Sequence, residues 1–195
     1  MRKTKHLTIL ALLFLVVFTS CEVRPTASLT HDVKEKKLLE QVKQRKLAKS
    51  KLFIKIYKKA RKLEVHYNGE KLVSYPCVFG FDPKGDKMKE GDGRTPEGKY
   101  GIRSMYPHRS WSYFIWVDYP NKTSWERFNK RKKEGTIAKG DRIGGEIGIH
   151  GVPEGGDYMI DSQTDWTLGC ISLKTAHITD LYKSISKESK MEIYK

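Results

Sequence analysis

The chain has 195 residues, 38% of them hydrophobic and 31% charged, with a formal net charge of +15. So basic a chain attracts anionic partners, yet it carries no helix-turn-helix, zinc-finger or RNA-binding signature, which excludes nucleic acid and leaves anionic wall polymers or membrane head groups as the surfaces its charge addresses. About 145 residues lie beyond a lysine-rich N-terminal stretch, the usual size of one domain with a proper core.

The first segment is basic, Met1-Arg2-Lys3-Thr4-Lys5-His6, and is followed by an apolar run from Leu7 to Phe18 that is too short to span a bilayer comfortably. It reads as an export signal. Its end, Phe18-Thr19-Ser20-Cys21, resembles a bacterial lipobox, in which the cysteine is lipidated and becomes the mature N-terminus, although Phe18 stands where that box usually has Leu. An ordinary signal peptide cleaved near Ser20 and an uncleaved anchor are the alternatives. Residues 1–20 are therefore expected to be a lipoprotein-type signal peptide. Residues 21–50, lysine-rich with only a ragged helical stripe of Leu38, Leu39, Val42 and Leu47, are expected to be a basic tether, helical at most in part.

From residue 51 the pattern becomes globular. Leu52–Tyr57 and Leu63–Tyr67 read as strands, and Asn68-Gly69 predicts a type I′ turn into a third, antiparallel strand over Lys71–Phe79. A passage from Gly80 to Gly98, rich in Gly, Asp and Pro, excludes regular elements. Gly101–Ser104 and the aromatic Tyr113–Val117 read as further strands. The spacing Thr123-Ser124-Trp125-Glu126 predicts a capping box opening a helix that stops near Gly135. Glu146–Ile149 reads as a short strand delivering His150 to its end. Ile178, Leu181, Tyr182 and Ile185 recur at helical spacing from a cap at Thr175, and Met191–Tyr194 reads as a closing strand. The architecture is mainly β with a few short helices.

Two glycine-punctuated segments carry the chemistry: Ile149-His150-Gly151-Val152-Pro153 and Asp165-Trp166-Thr167-Leu168-Gly169-Cys170-Ile171-Ser172. A cysteine on a turn after glycine offers an exposed sulfur and nearby backbone N–H groups, and an imidazole that takes the thiol proton makes the sulfur a nucleophile. Cys170 and His150 are the candidate nucleophile and base. The amides of Cys170 and Gly169 are the candidate oxyanion hole, Thr167 places a hydroxyl at its rim, and the Gly151 carbonyl is a candidate to orient the imidazole. Taken alone, the pair reads equally as a structural histidine and a buried thiol. Cys77, in an apolar run, reads as a small buried hydrophobe, with a Cys77–Cys170 disulfide as the alternative. His108, His150, His177 and Cys170 match no metal-ligand spacing, and no Gly-Lys-Ser/Thr follows Gly155-Gly156, so neither a metal nor another cofactor is expected.

With those segments in view, the chain resembles the L,D-transpeptidase catalytic domain of the YkuD type over roughly Lys51 to Tyr182. The resemblance rests on His150-Gly151, on Thr167-Leu168-Gly169-Cys170, and on the upstream Gly91-Asp92-Gly93-Arg94-Thr95-Pro96-Glu97-Gly98. It implies a β-sandwich domain over 51–195 acting on peptidoglycan stem peptides, and with the export signal and the lipobox-like Cys21 this is expected to be a periplasmic, membrane-anchored lipoprotein. Cys170 would attack the L-centre carbonyl of a diaminopimelate residue in a tetrapeptide stem and expel D-alanine. The resulting thioester would then pass to the amine of a second stem. Many such transpeptidases have Arg or Asn two residues after the cysteine. Here Ser172 stands at that substrate-side position, and together with Asp165-Trp166 it resembles the YafK-type branch, which includes hydrolytic enzymes. A hydrolytic endopeptidase or amidase of the same fold, a non-catalytic wall-binding module and a purely structural lipoprotein are the alternatives.

Overall fold

The structure is a computed structural model that describes residues 37–195. The export signal, the Cys21 lipidation site and most of the tether lie outside the described residues.

Helix α1 (Leu38–Gln44) and a short 3-10 turn (Lys49–Lys51) precede nine strands: β1 (Leu52–Tyr57), β2 (Lys62–Tyr67), β3 (Glu70–Val78), β4 (Gly98–Tyr100), β5 (Ile102–His108), β6 (Ser112–Val117), β7 (Gly148–Gly151), β8 (Ile171–Leu173) and β9 (Lys190–Tyr194). Three more helices interrupt them: α2 (Lys122–Lys133), α3 (Tyr158–Asp161) and α4 (Thr175–Ser184). The strand order is β4-β9-β1-β2-β3-β8-β7-β6-β5. Its two edges, β4 and β5, are joined in sequence through Gly101 alone, so the sheet curls until its ends nearly meet. Strand β3 serves both halves, pairing with β2 as far as Pro76 and with β8 at Cys77 and Val78. The fold is the mainly β architecture expected.

The core lies inside this curl. Ile54, Ile56, Leu63, Val65, Ile115, Ile149, Ile171 and Leu173 are fully buried at alternate or consecutive strand positions, and Ile178 and Leu181 bring one face of α4 onto them. Each such side chain contributes roughly 1.5–3 kcal/mol through removal from water. Cys77 is one of these buried residues, and it and Cys170 are both free thiols. Asn68 (φ 49°) and Gly69 (φ 88°) make the β2–β3 turn with both residues left-handed, as a type I′ turn requires.

Several boundaries differ from the sequence reading. The end of the stretch read as tether folds onto the domain: Leu38 and Val42, one helical turn apart, are buried, and Asp180 accepts the Leu38 and Leu39 amides at 2.8 and 2.9 Å, satisfying the open end of α1. Helix α2 is capped by Asn121, whose side chain accepts the Ser124 N–H at 3.0 Å, rather than by Thr123. Asparagine is the stronger cap, so the helix begins earlier. Thr175 lies inside α4 instead of capping it, and its N–H donates to Asp157. Strand β7 starts at Gly148, because Glu146 is left-handed (φ 56°), and runs through His150. Strands β4 and β8 and helix α3, each of three or four residues, are too short for a periodic pattern and were not anticipated.

Candidate active site

Parallel pairing of β7 with β8 sets Ile149 opposite Ile171 and His150 opposite Ser172. Extended by one residue, that register sets Cys170 opposite Gly148, two residues before His150. Residues two apart on a strand share a face, so the sulfur and the imidazole are diagonal neighbours, and both line one open cleft of about 970 Å³. Gly148 makes room for the Phe114 ring that stacks on His150, since a Cβ there would fall 2.2 Å from that ring.

The Cys170 turn is held from behind. Thr167 and Gly80 form a parallel bridge, Phe81 N–H donates to Thr167 O at 2.9 Å, and the Asp165 carboxylate accepts both the Phe79 N–H (2.9 Å) and a two-pronged Arg61 guanidinium (2.8 and 2.6 Å). Gly169 has φ +140°, and a Cβ would lie 2.8 Å from Arg94 O, so the turn takes glycine only. The Gly-Asp-Gly-Arg-Thr-Pro segment is thereby the backing of the Cys turn. Within it, Asp92 accepts from Lys87 Nζ and from the amides of Met88, Lys89 and Arg94. Burial works to raise the Asp92 carboxyl, but the Lys87 contact and the backbone N–H groups outweigh it and hold the acid below its usual range. Replacing Asp165 by Asn is expected to cost about 2 kcal/mol by breaking the Arg61 fork in a largely buried setting. A urea titration followed by far-UV circular dichroism checks this, and an unchanged midpoint would refute the anchoring role.

The sulfur is partly exposed at the cleft floor. Its S–H donates to Glu146 O and it accepts the Gly148 N–H, each at 3.4 Å. Surrounding protein still pushes the thiol up to about 11, burial outweighing the opposing pull of the Gly148 amide and the nearby Lys87 charge. His150 is 1% exposed. Its ring stacks on Trp111 (4.4 Å between centroids) and Phe114 (5.8 Å) and meets Trp166 edge-on (5.5 Å). This aromatic enclosure strips water from the imidazole and lowers it to about 4, outweighing the upward pull of the Gly151 carbonyl, with nearby His108 adding to the lowering. His150 Nδ1 lies 2.7 Å from Gly151 O. A carbonyl only accepts, so the proton sits on Nδ1 and Nε2 is left as the basic nitrogen. The resting pair is consequently a neutral thiol and a neutral imidazole, not a preformed thiolate.

The other candidates are distributed as follows. Thr167 is buried, donates to Cys170 O at 2.8 Å and accepts the Gly169 N–H at 3.2 Å, so it knits the turn and occupies the Gly169 amide, leaving the Cys170 N–H for an incoming oxygen. Ser172 is fully buried with its hydroxyl unpartnered. His108 stacks on Trp111 (4.4 Å) at the cleft wall, whereas His177 stacks on Tyr75 (5.0 Å) from α4. Sequence reasoning missed Trp111, whose carbonyl accepts the Gly151 N–H at 3.1 Å, and Lys87, a cation of the cleft lining. The run of aromatics from Tyr106 to Trp116 was the available signal for the first. Nothing local marked the second.

A family model described as the L,D-transpeptidase catalytic domain, YkuD, matches residues 51–193. The chain belongs to this family. Among solved structures, the YkuD domain is similar to Bd1075 of Bdellovibrio bacteriovorus (24% identity, TM-score 0.50, covering 74% of this chain and 48% of that one). It is also similar to Pgp2 of Campylobacter jejuni, described as a helical cell shape determining protein (21%, 0.54, 73% and 46%). An L,D-transpeptidase of Mycobacterium smegmatis matches at 14% identity (0.50, 74% and 59%). These likenesses establish the fold, and the chain spans about half the length of the proteins it matches. No curated protein sequence matches it significantly.

Proposed function

We propose that the YkuD domain is a cysteine L,D-transpeptidase of peptidoglycan, and the observation carrying this reading is a thiol and an imidazole of fixed tautomer on one face of adjacent strands at the floor of one cleft. As the sulfur attacks the L-centre carbonyl of a tetrapeptide stem, its proton passes to His150 Nε2. The Cys170 N–H receives the developing oxyanion. Collapse breaks the amide bond, the imidazolium gives its proton to the departing D-alanine amine, and a thioester remains. The amine of a second stem then displaces the sulfur, returning the thiol. The exposed Glu146 carboxylate in the lining offers a charge to an incoming amine. Export, lipidation at Cys21 and attraction of the basic chain to anionic wall or membrane surfaces belong to the same proposal, because the substrate lies outside the cytoplasmic membrane.

Hydrolysis of the thioester is the second reading. It is favoured by Ser172, which is fully buried and presents no polar group to the cleft where an acceptor stem would need holding. Incubation with disaccharide tetrapeptides followed by mass spectrometry separates the readings. Dimers one D-alanine lighter than two monomers support transfer, tripeptides support hydrolysis, and wall binding without any new mass would overturn both in favour of a binding module.

The neutral resting pair gives a pH signature. A thiol near 11 and an imidazole near 4 predict activity roughly flat across the neutral range, with no loss as pH falls through the ordinary histidine value of ~6.5. Alkylation of Cys170 by iodoacetamide in the free enzyme should rise only above the ~8.5 of free cysteine. A thiolate titrating near neutrality would contradict the burial argument.

A further inference from the structure

Beyond the catalytic cleft lies a second groove of about 400 Å³, lined by Trp125, Phe128 and Lys132 of α2 and by the 141–144 segment. It shares two lining residues with the cleft, Glu90 and Gly144. There the walls are clasped together: Glu90 N–H donates to Arg142 O at 2.8 Å, the Arg142 guanidinium meets the Glu90 carboxylate at 2.6 Å, and Gly144 packs against Glu90. Trp125 is 46% exposed, an unusual position for an indole on a helix whose other outward residues are polar. It is held edge-on by buried Phe128 (5.9 Å).

We propose that this groove binds the glycan to which a stem peptide is attached, with Trp125 stacking on the apolar C–H face of a pyranose ring. The inference rests on the peptidoglycan reading above and extends it to the part of the substrate that does not react. Three features select a sugar. An exposed indole offers a flat apolar surface with polar groups at its margin, matching the two-sided character of a pyranose. Four of the charges around it are paired, Asp141 with Lys89 and Arg142 with Glu90, and the remaining lining cation, Lys132, lies over the Phe128 ring at 4.9 Å, so the rim carries one cation beside paired groups and suits a polyol better than it suits a stem peptide bearing several carboxylates. Continuity with the cleft fits the covalent layout. The attacked diaminopimelate is the third residue of the stem, so three residues of chain, roughly 10 Å when extended, and a short linker tether its sugar to the reacting centre. Binding energy gathered there would position the stem without touching the scissile bond.

The test uses the full-length protein, its Cys170→Ala variant, and Trp125→Ala and Trp125→Phe variants, with glycan strands stripped of peptide as the probe. Wild type and Cys170→Ala should bind the stripped strands, Trp125→Ala should bind at least tenfold more weakly, and Trp125→Phe should keep most of the affinity. Thermal melts of the variants should coincide, because the indole is half exposed. Equal binding by wild type and Trp125→Ala, or no binding by either, overturns the proposal. A second comparison reads turnover: Trp125→Ala should raise KM for disaccharide tetrapeptide about tenfold and leave turnover of free tetrapeptide unchanged. An equal fall on both substrates would point to a structural role and overturn it. Trp125-dependent strand binding by a protein that turns over neither substrate would reject the transpeptidase reading alone and leave the glycan site standing.

Discussion

Replacing Cys170 by Ala is expected to remove D-alanine release from tetrapeptide stems by four orders of magnitude or more, leaving no adduct in intact-protein mass spectra. The magnitude follows from covalent catalysis. Without the sulfur no thioester forms, and positioning by the cleft alone supplies only a small residue of the rate. The variant should fold normally, because the sulfur is partly exposed and its contacts are two long bonds of 3.4 Å to Glu146 and Gly148. Loss of activity with an unchanged melt therefore reads out chemistry and not collapse. Turnover by the variant at the parent rate would remove the thiol mechanism altogether.

His150→Gln is expected to lower kcat by about a thousandfold, since a neutral amide can donate to the Gly151 carbonyl but cannot take the thiol proton. The same substitution should change the pH dependence of stability. In the folded protein the imidazole titrates near 4, against ~6.5 in an unfolded chain. Between those values the unfolded chain takes up a proton that the folded one refuses, so this contribution is fully present above ~6.5 and is lost as pH falls toward 4, by about 3 kcal/mol. The wild type should thus be destabilised over that window more steeply than His150→Gln. Urea midpoints measured at pH 7, 5.5 and 4.5 check the difference. Parallel losses in the two proteins would mean that His150 is not buried in neutral form.

Part of this site was legible because its signals are local. Gly169 before Cys170 and Gly151 after His150 mark turns and close approaches that any reader of glycine patterns can find, and Asn68-Gly69 announces its hairpin because both residues accept left-handed backbone. Other parts depend on partners far away in the chain. Asp165 looked like a family mark and turns out to be gripped by Arg61, and α1 looked like tether until Asp180 and the face of α4 gave it something to bury against. The resting charge state belongs to this second kind. An imidazole near a cysteine suggested an activated thiolate, but Trp111, Phe114 and Trp166 enclose His150 and keep it neutral.

The first three-stranded meander, the mainly β class and the choice of Cys170 and His150 as candidate groups could be read from the chain alone, because backbone preference and glycine placement act over a few residues. The parallel pairing of β7 with β8, the shared face of sulfur and imidazole, and the burial that favours their uncharged forms became visible in the folded molecule. Pairing register and desolvation are set by residues twenty to a hundred positions apart, and no local pattern carries that information.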